Sequence, residues 1–206
     1  MGLFPLGTTR AFALLGGILA LGSLSAPRVA NGQASMRVEV SADHAPALWR
    51  AFDLIPPEWK PSRKVIVREI SSPAMDRLVA LTSGADQHAE DNSTVDGCYQ
   101  SAPEGDQAPA VISLRKGMAA DEAAFVFTHE YGHFIWDEIL TDADRSEFRQ
   151  LWRQSKREGR LVTVYAADCD EEGFAEDVAH YLRRSSKLRR KDLPAYEFLR
   201  DLLNHS

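Results

Sequence analysis

Two histidines four residues apart, with a glutamate after the first, are the residues of this chain best suited to chemistry: His129-Glu130-Tyr131-Gly132-His133. At that spacing on a helix both imidazoles leave the same face, about one turn apart. Their nitrogens can then share one Zn²⁺ at ~2.0–2.1 Å. Glu130, beside the first histidine, can reach a metal-activated water as general base. The chemistry such a pattern allows is hydrolysis of a peptide bond.

An HExxH also arises by chance, so its surroundings matter. It falls in a long helix predicted over Asp121–Ile139, soon after a strand predicted over Ala110–Leu114. The first half of that helix, Ala123–Phe127, is apolar nearly all round and is expected to be buried. Ionisable residues on a buried helix are costly unless they are paired or bound to a metal. A catalytic zinc takes three protein ligands and keeps one position open. The longer pattern HExxHxxGxxH is excluded, because Trp136 and Ile139 stand where its Gly and third His would be. Glu147 and Glu158 read as the solvated face of an amphipathic helix over Asp144–Glu158. Glu172 and Glu176 are better placed, i and i+4 on a helix over Glu171–Arg184, among Phe174, Ala175, Val178 and Ala179. Asp170 and Glu171 read as an acidic first turn that favours the helix dipole.

The run Tyr165-Ala-Ala-Asp-Cys-Asp-Glu-Glu172-Gly-Phe-Ala-Glu176, following the HExxH by about forty residues, carries a resemblance. With the HExxH it resembles the catalytic domain of anthrax lethal factor and the related Pro-Pro endopeptidases, over roughly Phe125 to the C-terminus. The resemblance implies that Glu172 is the third zinc ligand and Tyr165 the active-site phenol. It implies that Glu176 hydrogen-bonds a ligating histidine and fixes its tautomer. It also implies that Gly97–Gln100 is the edge strand along which a peptide or protein substrate lies extended. Gly173 departs from the family, which has a bulky residue there, and could loosen the ligand helix. The segment between Cys98 and Ala110 matches no family specificity loop.

Other candidates are weaker. Asp137 is i+4 from His133 and could orient it, or be solvated. His44, His88, His180 and His205 read as surface residues, and the basic run Arg183–Lys191 as a solvated helix end. The two cysteines, Cys98 and Cys169, permit a disulfide in an exported protein, with two buried thiols as the alternative. A Cys98 thiolate on the metal is a further possibility.

The elements that must position these residues follow from periodicity and breakers. A short helix over Pro46–Leu54 is stopped by Pro56 and Pro57. Lys64–Ile70 alternates and is β-branched, a strand; Pro73–Thr82 is a helix with Met75, Leu78, Val79 and Leu81 on its apolar side. Polar loops span 85–95 and 102–108, with Gly97–Gln100 a short strand between them, and Leu193–Leu203 is the last helix. Strands lie in the first half and helices dominate the second, an α+β layout. With the resemblance, the expected fold is a zincin-like single domain, its active-site helix between a small mixed sheet and a mainly helical C-terminal half.

The chain has 206 residues, 44% of them hydrophobic, and a net charge of −6, which suits one domain with a real core and argues against a nucleic-acid partner. At the N-terminus Arg10 precedes the apolar run Ala11–Leu24, then small residues. That run is short of the ~20 residues a bilayer span needs. Residues 1–34 are therefore expected to be a cleaved secretory signal, cut after Ala26, Ala30 or Ala34, with a buried N-terminal helix or an uncleaved anchor as the alternative, and 35–206 the peptidase domain. The expectation as a whole is an exported zinc metalloendopeptidase, monomeric and free of the membrane once the leader is removed. The alternative is a binding or effector protein that uses the same scaffold without hydrolysis. A structural zinc site would need a fourth ligand, for which only Cys98 offers itself.

Overall fold

The computed structural model describes residues 38–41, 43–82, 95–101 and 108–204, all within the unit Gly32–Ser206. The expected leader, most of the two polar loops, His88 and His205 lie outside the described residues. Among those residues the fold is α+β. Four strands, β1 (Val38–Ser41), β2 (Val65–Ile70), β3 (Gly97–Gln100) and β4 (Ala110–Arg115), form one sheet in the order β1-β2-β4-β3. β1, β2 and β4 run parallel, and β3 lies antiparallel to β4 at the sheet's edge. The helices are α1 (Ala45–Asp53), α2 (Ser72–Thr82), α3 (Ala120–Glu138), α4 (Asp142–Arg157), α5 (Asp170–Lys191) and α6 (Leu193–Asn204), with 3₁₀ turns at Pro57–Trp59 and Tyr165–Ala167. None is long and apolar enough to cross a membrane.

The predicted elements recur within two or three residues of their expected ends, except that α5 runs on to Lys191 through a kink at Arg184. The first strand, β1, is an addition. Alternation in β2 buries Val65 and Val67, and the matching face of β4 buries Ala110, Ile112 and Leu114. α2 differs from expectation: Met75 alone is buried, and Leu81 is 74% exposed.

α3 runs between the sheet and the C-terminal helices. Of the segment expected to be buried, Ala123, Ala124 and Phe127 are buried and Phe125 and Val126 partly so, and burial continues through every residue from Phe127 to Trp136. Towards the sheet and α1, Tyr131 packs edge-on to Phe52 and its hydroxyl donates to the Trp59 carbonyl at 2.8 Å. On the other side Trp136, Phe148 and Phe174 form an aromatic cluster joining α3, α4 and α5. Burying each such ring contributes roughly 1.5–3 kcal/mol. This packing holds the polar part of α3 in place.

Local sequence fixes the helix ends. Arg145 of α4 donates to the Trp136 and Leu140 carbonyls at 2.7 Å and so satisfies the C-terminus of α3. Thr141 and Asp144 exchange hydrogen bonds at the start of α4. α3 and α5 meet at Gly132, where a Cβ would stand 2.6 Å from Ala175 Cα. Only a glycine lets the two backbones come this close.

Candidate metal centre

His129 and His133 come from the middle of α3, and Glu172 from the first turn of α5. Their ligand atoms all lie within 4.8 Å of one another. Glu172 Oε2 is 3.1 Å from His129 Nε2 and 3.4 Å from His133 Nε2. Ligands ~2.0–2.1 Å from a tetrahedral centre stand roughly 3.3 Å apart, and both separations of Glu172 from the imidazoles are of that size, so the three residues could hold a metal ion.

Each imidazole meets a carboxylate at its other nitrogen as well. His129 Nδ1 donates to Glu176 Oε1 at 3.0 Å. His133 Nδ1 lies 3.3 Å from Glu171 Oε1, at ion-pair distance but off the hydrogen-bond line. The site thus uses Glu171, which from sequence reads only as part of an acidic first turn. Asp137, the other sequence candidate for orienting His133, is exposed. The Thr163 hydroxyl also lies close to Glu176 and favours its charged form, another participant that no sequence pattern marked.

Charge accounts for the protonation states. Burial works against a charged His129, but the hydrogen bonds with Glu172 and Glu176 win and lift it to about 9. His133 rises well above 6.5 for the same reason, burial being outweighed by Glu171 and Glu172. Glu172, despite burial, is held well below the usual carboxylate range by the two imidazoles. A cluster that draws protons this strongly will also favour a divalent cation, with which those protons compete. Burial raises Glu130, a direction that suits a general base.

Tyr165 sits in the 3₁₀ turn just before α5, its ring 5.6 Å from that of His129. Half of Tyr165 lies in solvent, but desolvation around its hydroxyl, then the charges of Glu172 and Glu130, keep the phenol protonated and able to donate. At Gly173 the space of a side chain is already taken. A Cβ there would stand 2.5 Å from Trp152 Cδ1, because the indole fills that place and donates to the Ala166 carbonyl at 2.8 Å.

Three sequence readings change. His180 is buried, not on the surface: its Nε2 accepts from Lys187 at 3.0 Å, which in the neutral ring leaves Nδ1–H to donate to the Glu176 carbonyl, also at 3.0 Å. His44 is half-buried and bonded to Glu69 at 2.6 Å. The two cysteines are free. Cys169 caps α5, its sulfur accepting the Glu172 N–H at 3.5 Å. Burial pushes Cys98 up to about 11, which leaves it a thiol and a poor metal ligand.

β3 passes beside the centre with one edge open among the described residues. Arg115 N donates to the Asp96 carbonyl at 2.7 Å, which makes that pair a hydrogen-bonded one. Such pairs alternate along an antiparallel ladder, so Cys98 and Gln100 bond to β4, while Gly97 and Tyr99 turn their N–H and C=O groups to the open edge.

The chain matches no protein-family model, and no curated protein matches it.

Proposed function

We propose that the chain is an exported zinc-dependent endopeptidase of the zincin type, akin in its site to the lethal factor catalytic domain and the Pro-Pro endopeptidases. The observation that supports this most is the convergence of His129, His133 and Glu172 within 4.8 Å, beside a buried Glu130 and an open strand edge. His129, His133 and Glu172 would hold the metal. Zn²⁺ there would supply Lewis acidity, drawing the pKa of a water toward ~7 and polarising the scissile carbonyl. The peptide would lie extended along β3, its backbone pairing with the outward groups of Gly97 and Tyr99. Glu130 takes a proton from water on its carboxylate and returns it to the leaving nitrogen. The Tyr165 hydroxyl donates to the carbonyl oxygen as charge develops there, an effect worth ~3–4 kcal/mol per donor. Glu176 and Glu171 keep the ligating nitrogens of the two imidazoles aimed at one point. Export rests on the leader-like residues 1–34, whose cleavage point N-terminal sequencing would read.

Metal analysis and a peptide-library cleavage profile of the parent and Glu130→Gln test the reading. Both proteins should carry one zinc, and Glu130→Gln should cleave at least ~10²-fold more slowly. Equal cleavage by the two sinks the role of Glu130. Zinc with no cleavage of any peptide favours a non-catalytic binding protein on the same scaffold.

A further inference from the structure

Gly97 has a role that backbone conformation does not explain. Its φ lies outside the positive range, unlike Gly117 and Gly159. The reason is space. A Cβ built on it would stand 2.3 Å from Glu130 Oε1 and 2.7 Å from Glu130 Cδ and Cγ. The acid arm of Glu130 therefore occupies the volume that a side chain at position 97 would fill. Glu130 is only 6% exposed, so the arm has little room to move aside. The Tyr99 N–H lies close to the same carboxylate and favours its charged form. By the ladder's alternation that N–H is one of the groups β3 presents to its open edge.

We propose that Gly97 is the positioning residue for Glu130, and that the seat it makes is shared with the substrate: a peptide strand pairing with β3 takes the Tyr99 N–H and frees the carboxylate for proton transfer. Base and substrate draw on one donor, so docking of the strand and release of the base are a single event. The proposal rests on the peptidase reading for its second half. Its first half, the seat itself, is independent of activity.

Two measurements decide it. The first is a thermal-stability cycle on metal-free and zinc-loaded protein, with Gly97→Ala made in the parent and in Glu130→Ala. The added methyl should lower the melting temperature in the parent and have little effect once the Glu130 arm is gone. If Gly97→Ala is too unstable to isolate, the double variant should still fold. An equal loss in both backgrounds, or a double variant that also fails to fold, overturns the seat. In zinc-loaded Gly97→Ala, kcat should fall by about 10² with zinc content and KM held, since a base displaced by ~1 Å costs that much. A loss of zinc in parallel with kcat also counts against the seat.

The second is the affinity of the uncut, fluorescein-labelled form of the best-cleaved library peptide for zinc-loaded Glu130→Ala and Glu130→Gln. Neither variant carries the charge, but a glutamine carbonyl can still take the Tyr99 N–H. Glu130→Ala should bind about threefold to tenfold tighter. Equal affinities, or binding to neither, overturn the shared donor. A parent that cleaves no peptide refutes the peptidase reading and still leaves the stability cycle to judge Gly97.

Discussion

His129 and His133 can offer Nε2 to a metal only if their Nδ1 protons have somewhere to go, and both partners come from α5. Glu176 meets His129 in hydrogen-bond geometry at 3.0 Å and is itself buried. Glu171 meets His133 at 3.3 Å, off the hydrogen-bond line and half in solvent. Orienting carboxylates of this kind are worth about 10–100-fold in metal affinity. Glu176→Gln should therefore weaken zinc by tenfold or more in chelator competition, and Glu171→Gln by less, because Glu171 is partly in solvent and its pair with His133 is better screened. Parent-like affinity in Glu176→Gln would show that packing alone aims the His129 ring. The reverse ranking would make Glu171 the main support.

Between elements, the contact that matters most is the crossing of α3 and α5 at Gly132. The opposing atom is backbone, Ala175 Cα at 2.6 Å, so a methyl at position 132 cannot be accommodated by a rotamer change. Gly132→Ala should separate the helices and cost about 1–3 kcal/mol, a fall of roughly 2–12 °C in melting temperature. Because the separation moves Glu172 away from both imidazoles, zinc affinity should fall with it. A variant that melts early yet binds zinc like the parent would uncouple the crossing from the site. The same crossing explains what was legible beforehand. His129 and His133 show themselves by helical spacing, and Glu172 and Glu176 by sitting one turn apart among apolar residues, both local properties. Glu171 and His180 depend on how α5 lies. Glu171 reaches His133 only across the crossing, and His180 is satisfied by Lys187, seven residues on, beyond the kink at Arg184. The separation of Cys98 and Cys169 is equally tertiary, since their spacing in sequence carries no distance. β1 alternates strictly, Val38-Glu39-Val40-Ser41, but four residues are too short a run for alternation alone to mark a strand.

For the molecule as a whole, the site concentrates negative charge in the interior of a protein that is already acidic, with a net charge of −6. Glu130, Glu171, Glu172 and Glu176 surround two imidazoles, and without a cation those imidazoles hold protons in its place. His129 is raised from 6.5 to about 9, against the pull of burial, by Glu172 and Glu176. A histidine whose folded pKa exceeds its unfolded one stabilises fully below the unfolded value, and the effect is lost as pH rises through the folded value. Asp177, pushed well above 3.8 by burial and then by Asp192 and Glu176, acts in the same direction, favouring the fold while it stays protonated. Glu172, held low by the imidazoles, acts in the opposite direction: its contribution is present above 4.5 and is lost as pH falls. Metal-stripped protein should therefore be most stable between these limits and should lose melting temperature steadily from pH 6.5 to 9. Zinc-loaded protein should change much less over that window, because the cation offsets the same carboxylates at every pH and its binding strengthens as the histidines deprotonate. The gap between the two melting curves should widen with pH. If the gap stays constant from pH 6.5 to 9, the protons on His129 and the metal are not competing for one site, and the charge balance described here is wrong.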